Sequence, residues 1–310
     1  NYTKFLLSYQ LLMSMKNKII LFGYGFLGKN IYEGLKENNS TIIKTKLNEI
    51  DDVLQLDISD HKRVSDLIDQ EKPNIVINCA GRNDIDFLEN NPEEARSINS
   101  ISPGIIAKKC QQNNSRLIHV STDSVFDGED GMYSENDLPN PKNVYAKTKL
   151  EGEKRVINQC NNSVIIRTNF YGIDNSQKYL FNNMLEKLKQ KQDIIGFDDV
   201  YFTPLPVENL GEQIIDVVFS DYKGIIHLGS DEKISKYEFC KIMSQKLGFG
   251  EDHIKPGSID NTAFVAKRPK DTSLNNEFSK SIVKHKSIGF ADWLGTKKDN
   301  IMKLHNLKNL

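Results

Sequence analysis

Short apolar runs alternate with stretches of helical spacing over the first half of the chain. In the stretch after the first run, Phe26, Leu27, Ile31 and Leu35 recur on one side of a predicted helix. Five apolar runs rich in Ile, Val and Leu predict buried β-strands: Lys18–Phe22 and residues 41–45, 74–79, 117–121 and 163–167. The alternation predicts an α/β fold, a doubly wound, Rossmann-type parallel sheet with helices on both faces.

The predicted helices between these strands have recognisable ends. Asp60 is placed to cap a helix over residues 61–68. A helix is predicted over residues 92–110, although Pro103 must end or kink it because proline lacks a backbone N–H. Residues 141–160 predict one long helix.

The pattern changes after about Tyr171. Strand candidates such as Gly224–Leu228 are separated by longer irregular stretches, and residues 235–247 predict a capped amphipathic helix. This part of the chain is interpreted as a smaller C-terminal lobe. Residues 1–14 are unlike the rest of the chain, and we interpret them as a non-native or disordered extension outside the fold.

Composition narrows the classes of function. Lys and Arg total 41, Asp and Glu total 42, and the net charge is −1, which argues against a nucleic-acid partner bound through a basic face. No apolar run reaches the ~18–20 residues that a membrane span requires. The four cysteines are widely spread and form no metal-ligand spacing, so we expect a reduced, cytoplasmic protein with no metal in its chemistry.

A glycine-rich turn predicts a dinucleotide site. Gly23, Gly25 and Gly28 form a G-x-G-x-x-G motif, with Phe26 and Leu27 between the last two glycines. The motif comes after a predicted strand and opens a predicted helix, where glycine allows the backbone to approach a pyrophosphate. Free N–H groups at the helix N-terminus then face that anion. The alternative is a tight strand–helix turn without a ligand.

The end of the second strand bears on the choice of cofactor. NAD is usually held there by a carboxylate, whereas this chain has Lys44 and Lys46, cations that suit the 2′-phosphate of NADP. The alternative is two solvated lysines. Asp57 is placed to accept a hydrogen bond from the adenine amino group, with Ile58 beside it, or else it is an ordinary turn or N-cap residue. We therefore predict NADPH, with NADH as the alternative.

A second motif supplies acid–base chemistry. Tyr145 and Lys149 stand four residues apart on one face of a predicted helix. An adjacent ammonium is expected to lower the pKa of the phenol and make Tyr145 a usable proton donor. Thr122 comes directly after the fourth main strand, where its hydroxyl can hydrogen-bond a substrate oxygen. The alternatives are a solvated helix face and ordinary turn chemistry.

These motifs, in this order, resemble the extended short-chain dehydrogenase/reductases, and within them the dTDP-4-dehydrorhamnose reductase family. The likeness runs from about Met15 to the C-terminal region. Its further elements are Asn78-Cys79-Ala80-Gly81, the Ser-Thr-Asp-x-Val-Phe-x-Gly sequence at 121–128, Thr203-Pro204 and the segment 267–274.

The resemblance implies a role for each matching residue. Thr122, Tyr145 and Lys149 would be catalytic, and Lys149 would also bind the nicotinamide ribose. Ala80 and Gly81 would line the cofactor, and Asn99 would support the catalytic helix. The substrate would contact Thr122, Asp123, Ser124, Asn169 and Arg268, with the Arg268 guanidinium on the diphosphate.

The resemblance also implies the domain organisation and the reaction. Residues 15–172 would form the NAD(P)-binding Rossmann domain, and residues 173–310 mainly a substrate-binding lobe with some segments returning to the first domain. Ser124 stands where related 4,6-dehydratases carry Glu, which favours a net reduction of a nucleotide-diphospho-4-keto-6-deoxy sugar by a monomer or homodimer. The alternatives are an epimerase or other sugar-nucleotide reductase, and a non-catalytic NADP-binding protein resembling the regulatory subunit of methionine adenosyltransferase.

Overall fold

A computed structural model describes residues 16–38, 40–174 and 179–304. The predicted extension over residues 1–14 lies outside the described residues. The described strands, in chain order, are β1 (Lys18–Phe22), β2 (Thr41–Lys46), β3 (Leu54–Gln55), β4 (Ile75–Asn78), β5 (Arg116–Val120), β6 (Ser163–Thr168), β7 (Phe170–Tyr171), β8 (Ile194–Phe197), β9 (Tyr201–Phe202), β10 (Leu205–Pro206), β11 (Gly224–Leu228), β12 (Ile234–Ser235) and β13 (Ile254–Gly257). The described α-helices are α1 (Phe26–Leu35), α2 (His61–Glu71), α3 (Ile85–Asn90), α4 (Pro92–Arg96), α5 (Ser102–Gln112), α6 (Val144–Gln159), α7 (Leu180–Lys189), α8 (Val207–Val218), α9 (Lys236–Leu247) and α10 (Phe290–Leu304).

Seven strands form one parallel sheet in the order β11-β6-β5-β4-β1-β2-β3. The chain reverses its direction of growth at β1, where Phe22 lies between Thr45 on one side and Asn78 on the other. Such a switch point opens a crevice at the carboxyl ends of the strands. The predicted α/β fold class is therefore confirmed.

The apolar runs become strands because both faces of the sheet are covered. Ile19, Leu21 and Ile77 point to one aliphatic layer, while Ile20 and Val76 point to the other. Parallel strands buried on both faces favour such continuous runs of β-branched residues. Burial of these side chains on both sides stabilises the packing of the sheet against its helices.

Two helices differ from their predicted extent. The helix predicted over residues 92–110 is three pieces, α4, a π-helical turn over Ser97–Ile101 and α5, and Pro103 is accommodated at the second position of α5. The long helix begins at Val144 because the Asn143 side chain accepts a hydrogen bond from the Ala146 N–H and caps it there. The predicted cap by Asp60 is confirmed.

The C-terminal lobe is built differently from the sheet. Six of the seventeen buried core residues described in the lobe are aromatic, and its strands pair only in twos. The predicted helix over 235–247 is confirmed, with Ser235 and Glu238 forming a capping box. Two segments beyond Tyr171 pack with the sheet domain: β11 is its edge strand, and α8 packs on α1, where Gly34 faces Ile215. Along the chain's described stretches, no helix is long and apolar enough to cross a membrane.

Candidate active site

The glycine-rich turn is tight because two of its glycines leave no room for a side chain. Gly23 has a φ of +90°, and a Cβ there would lie 2.5 Å from the Ala80 backbone nitrogen. A Cβ on Gly28 would lie 2.2 Å from the Gly23 carbonyl oxygen. Gly25 is different, since its nearest neighbour would be 4.0 Å away. The turn therefore leaves open space at Gly25, on the N-terminus of α1.

The N-terminus of α1 is suited to an anion. Gly25 provides no side-chain cap, and the first turn carries no acidic residue. The N–H groups of this turn therefore remain available, and the helix dipole favours a negative group beside them. A dinucleotide pyrophosphate fits this arrangement, so the residues present here are suited to the implied cofactor.

A groove of about 1130 Å³ runs along the carboxyl ends of the strands. Its lining includes thirteen of the fourteen predicted cofactor residues: Gly23, Gly25, Phe26, Leu27, Gly28, Lys46, Asp57, Ile58, Ala80, Gly81, Asn99, Tyr145 and Lys149. The groove is at the upper end of the size range of small-molecule sites, which suits a dinucleotide with a second ligand.

Lys44 is the predicted cofactor residue that the groove lining does not include. Its ammonium lies 2.7 Å from an Asp52 carboxylate oxygen and over the rings of Tyr24 and Tyr32. Alternation along the strand does not separate Lys44 from Lys46, because residues two apart point to the same face. The difference is that the Lys44 ammonium is held by Asp52, whereas Lys46, at the end of β2, lines the groove together with Thr45. In the described part of the chain Lys46 forms no salt bridge, and it is the lysine of β2 that faces the groove.

Asp57 and Asn99 line the groove from two separate segments of the chain. Asp57 accepts hydrogen bonds from the N–H and hydroxyl of Ser59 through one oxygen. Asn99 sits in the π-helical turn, where its side chain exchanges two hydrogen bonds with the backbone of Arg82. Its carbonyl oxygen would lie 2.3 Å from a Cβ on Gly152, so the turn packs directly on α6. The predicted support of the catalytic helix by Asn99 is thus a backbone contact.

Thr122, Tyr145 and Lys149 come together at one end of the groove. Tyr145 and Lys149 line it from α6, and the Thr122 hydroxyl lies beside the Tyr145 phenol. The Lys149 ammonium donates to the Val120 carbonyl oxygen at 2.8 Å, which leaves two of its protons for other acceptors. Burial lowers the pKa of Lys149 to about 8, against the opposing effect of Glu153.

The expected lowering of the phenol pKa is wrong. Burial raises the pKa of Tyr145 to about 12, and the neighbouring Thr122 hydroxyl only partly opposes this. Lys149 does not lower it, because its ammonium is turned toward Val120. Tyr145 is consequently a protonated phenol at neutral pH, which is the form that a proton donor needs.

The predicted substrate residues divide into two groups. Asp123 lies at the centre of a buried cluster, accepting hydrogen bonds from Asn169 at 2.9 Å, Thr122 at 3.1 Å and Ser124 at 3.2 Å. These four residues lie behind Tyr145 and are not part of the groove lining. Arg268 does line the groove, where it is paired with Asp86 at 2.9 Å.

Sequence reasoning missed a buried ion pair beneath the catalytic residues. Glu153, one turn after Lys149 on α6, pairs with Arg167 at 2.8 Å, and both side chains are almost fully buried. The Ser121 hydroxyl donates to the same carboxylate. The sequence indicates part of this arrangement, because Glu153 stands four residues after Lys149 and therefore shares its helix face.

An aromatic wall and a further lysine were also missed. Phe170 and Tyr179 line the groove opposite the glycine turn, with their ring centroids 6.2 and 4.8 Å from that of Phe26. Lys236, the first residue of α9, is close enough to Asp123 for the two charges to interact. No local motif marks these residues, because they come from separate parts of the chain.

Nothing in the described residues groups three or more His, Cys, Asp or Glu side chains as a metal site would. All four cysteines are free thiols. Cys79 lines the groove, but burial raises its pKa to about 12, so it is a neutral thiol there.

The parallel sheet, the glycine turn at its switch point and the Thr-Tyr-Lys set define an extended short-chain dehydrogenase/reductase. A family model described as the RmlD substrate binding domain matches residues 17–296. The chain belongs to that family, which confirms the resemblance found in its motifs.

Solved structures agree with this assignment. The chain is similar to a dTDP-4-dehydrorhamnose reductase of Clostridium acetobutylicum, with 29% identity, a TM-score of 0.82, and coverage of 93% of this chain and 99% of that one. It is also similar to the dTDP-4-dehydrorhamnose reductase of Bacillus anthracis in complex with NADP, with 26% identity, a TM-score of 0.81, and coverage of 91% and 98%.

Curated relatives point in two functional directions. The chain is 31% identical over 260 residues to the probable low-salt glycan biosynthesis reductase Agl14 of Haloferax volcanii, covering 81% of this chain and 87% of that protein. It is 28% identical over 271 residues to methionine adenosyltransferase 2 subunit beta of Bos taurus, covering 81% and 78%.

Proposed function

We propose that this protein is an NADPH-dependent reductase of the 4-keto group of a nucleotide-diphospho-4-keto-6-deoxy sugar, in deoxysugar or surface-glycan biosynthesis. One observation carries the proposal: Tyr145 and Lys149, one turn apart on α6, line the same groove as the glycine turn. A protein that only bound a dinucleotide would not need a proton donor at that place.

Some of the site residues would hold the ligands, and Tyr145 would donate a proton. NADPH supplies a hydride when it is bound. The N-terminus of α1 would hold its pyrophosphate, Asp57 its adenine, and Lys149 its nicotinamide ribose hydroxyls. Tyr145 donates its proton to the C4 oxygen of the sugar, and Thr122 would position the Tyr145 phenol from outside the groove lining. The Lys149 ammonium keeps two protons beyond the one given to Val120, and it would turn one of them to the Tyr145 oxygen to compensate the charge left there.

The diphosphate of the substrate is assigned to Arg268. Its guanidinium is paired with Asp86, so binding of a diphosphate would replace one anionic partner by another. The names of the reductase relatives support this substrate class. We propose a monomer or homodimer in the cytoplasm that takes the nucleotide sugar as its partner.

NADPH is proposed over NADH because Lys46 faces the groove without a salt-bridge partner in the described residues. The relative solved with NADP agrees with this choice. If Lys46 reads the 2′-phosphate, Lys46→Ala raises the KM for NADPH and leaves the KM for NADH unchanged. Lys44→Ala serves as the matched control, since its charge is already paired with Asp52.

The deciding experiment measures the loss of NADPH absorbance with dTDP-4-keto-6-deoxy-L-mannose and purified protein. Wild type should turn over, and Tyr145→Phe should lose about 10²–10⁴-fold in kcat, the contribution of a general acid, while still binding NADPH. A product analysis identifies net reduction, which consumes the cofactor, against epimerisation, which regenerates it. Tyr145→Phe with unchanged turnover would overturn the assigned chemistry.

A regulatory subunit of methionine adenosyltransferase type is the second candidate, favoured by the relatives of that name. Such a protein would keep the fold and the cofactor site but act through a partner. In that case no keto-sugar of a broad panel would be reduced, and Tyr145→Phe would leave the biological role intact.

A further inference from the structure

The three residues that end at Arg268 are held to the sheet domain by two side chains. We call residues 266–268 the arginine segment. The Ala266 N–H donates to one Asp86 carboxylate oxygen at 3.0 Å, and the Arg268 guanidinium is paired with the other at 2.9 Å. Between them, the Lys267 carbonyl accepts a hydrogen bond from the Asn143 side chain at 2.9 Å. Each residue of the arginine segment is therefore anchored.

Asn143 uses both ends of its carboxamide. The oxygen accepts from the Ala146 N–H at 2.9 Å and caps α6, while the nitrogen donates to Lys267. An N–H on one side and a carbonyl on the other fix the orientation of the carboxamide, because its oxygen only accepts and its nitrogen only donates. The side chain is 1% exposed. It thus connects the start of the helix that carries Tyr145 to the segment that carries Arg268.

A third hydrogen bond closes these contacts into a triangle. Glu89, three residues after Asp86 on α3, accepts from the Val144 N–H at 2.9 Å. Consequently α3, α6 and the arginine segment are each bonded to the other two, so none of them can shift without breaking a contact. The triangle fixes Arg268 relative to Tyr145, across the groove that both side chains line.

We propose that Asn143 is a positioning residue that holds Arg268 at the distance from Tyr145 at which one nucleotide sugar contacts both. The inference rests on the proposed function and deepens it, because it gives a part in substrate selection to a residue outside the groove lining. A fixed spacing favours substrates whose keto oxygen and diphosphate have the matching separation. The competing account is that Asn143 only caps α6.

The Asn143→Asp variant separates these accounts because it keeps one contact and removes the other. A carboxylate oxygen caps a helix as well as an amide oxygen does, but it cannot donate to the Lys267 carbonyl. We expect the KM for the nucleotide sugar to rise about ten-fold, the contribution of one hydrogen bond, with kcat and the KM for NADPH unchanged. Asn140→Asp is the matched control, since Asn140 contacts Asp127 instead, and it should keep the wild-type KM.

A binding cycle determines whether Asn143 acts through Arg268. Calorimetry with dTDP measures the affinity of wild type, Asn143→Asp, Arg268→Met and the double variant. Asn143→Asp should weaken binding about ten-fold when Arg268 is present and have no further effect in Arg268→Met. Capping alone predicts wild-type affinity for Asn143→Asp. That result, or a further ten-fold loss in the double variant, overturns the proposal.

A measurement of hydrogen exchange works without turnover. In Asn143→Asp the Ala266 N–H should exchange with solvent faster than in wild type, while the amides of α6 stay protected. Unchanged exchange at Ala266 overturns the inference. Faster exchange, in a protein whose wild type neither binds dTDP nor reduces a keto-sugar, instead locates the failure in the proposed function.

A second variant is available if Asn143→Asp does not fold. Asn143→Ser also caps the helix but has no second polar atom for Lys267, so it should show the same rise in KM and the same faster exchange. Wild-type values of both in Asn143→Ser would overturn the proposal.

Discussion

The two halves of the molecule bury different kinds of side chain. The two layers that cover the sheet are mostly Ile, Val and Leu, with Phe22 and Phe219 as the fully buried phenylalanines described in them. The C-terminal lobe packs rings against one another, including Phe239 stacked on Phe290 with their centroids 3.8 Å apart. Tyr171 and Trp293 meet edge to face, and Tyr171 meets Phe290 in the same way.

The difference arises from the elements that each half contains. Parallel strands need small, branched side chains that repeat along a pleated surface. The lobe has only two-stranded pieces between its helices, and large rings fill much of the space between these elements. A few large side chains therefore supply much of the buried contact in the lobe.

The largest expected effect tests this contrast in the lobe. Phe290→Ala should lower the free energy of unfolding by about 3–5 kcal/mol, because it removes the stacked partner of Phe239 and leaves a cavity. Ile118→Val, its control in the sheet, should cost about 0.5–1.5 kcal/mol. Urea denaturation measures both. Equal losses of unfolding free energy in the two variants would mean that the aromatic core stabilises the protein no more than the aliphatic layers do.

The next prediction concerns the sheet domain, where the glycine turn leaves little room for a side chain. Gly23→Ala should weaken NADPH binding and stability together by about 3 kcal/mol, or roughly 100-fold, because its Cβ meets the Ala80 backbone at a positive φ. Gly25→Ala should keep the melting temperature of wild type and weaken NADPH binding alone, since its Cβ enters open space. A Gly23→Ala protein with normal Tm and Kd would show that the turn can relax.

The smallest effect concerns Lys149, the buried lysine of the site. The proposed mechanism uses its ammonium form, which is lost as pH rises through about 8. We expect kcat to fall by about two-fold at the pKa itself. A pH–rate profile measures this step.

An arginine variant assigns the step, because a guanidinium keeps its charge throughout this range. Lys149→Arg should remove the step. Tyr145 does not contribute, since its pKa of about 12 lies above the window. A profile that Lys149→Arg leaves unchanged would contradict the assignment of Lys149.

Sequence patterns that extend over only a few residues determined most of the sheet domain. The apolar runs, the cap at Asp60 and the glycine motif each act within a few residues, so they predicted strands, helix starts and nearly half of the groove lining. The same holds for Tyr145 and Lys149, which share a helix face because they are four residues apart. Local pattern could not decide which lysine of β2 faces the groove, because that depends on how the neighbouring elements cover the strand.

Only the tertiary structure brought the distant groups together. Asp123 meets Thr272 from 149 positions along the chain, and Lys236 reaches the same place from α9. The pKa of Tyr145 rises because of burial, which no spacing rule registers, and the ammonium of Lys149 turns to Val120 instead of the phenol. Motifs record which groups are present, whereas desolvation and long-range contacts set the charge that each one carries.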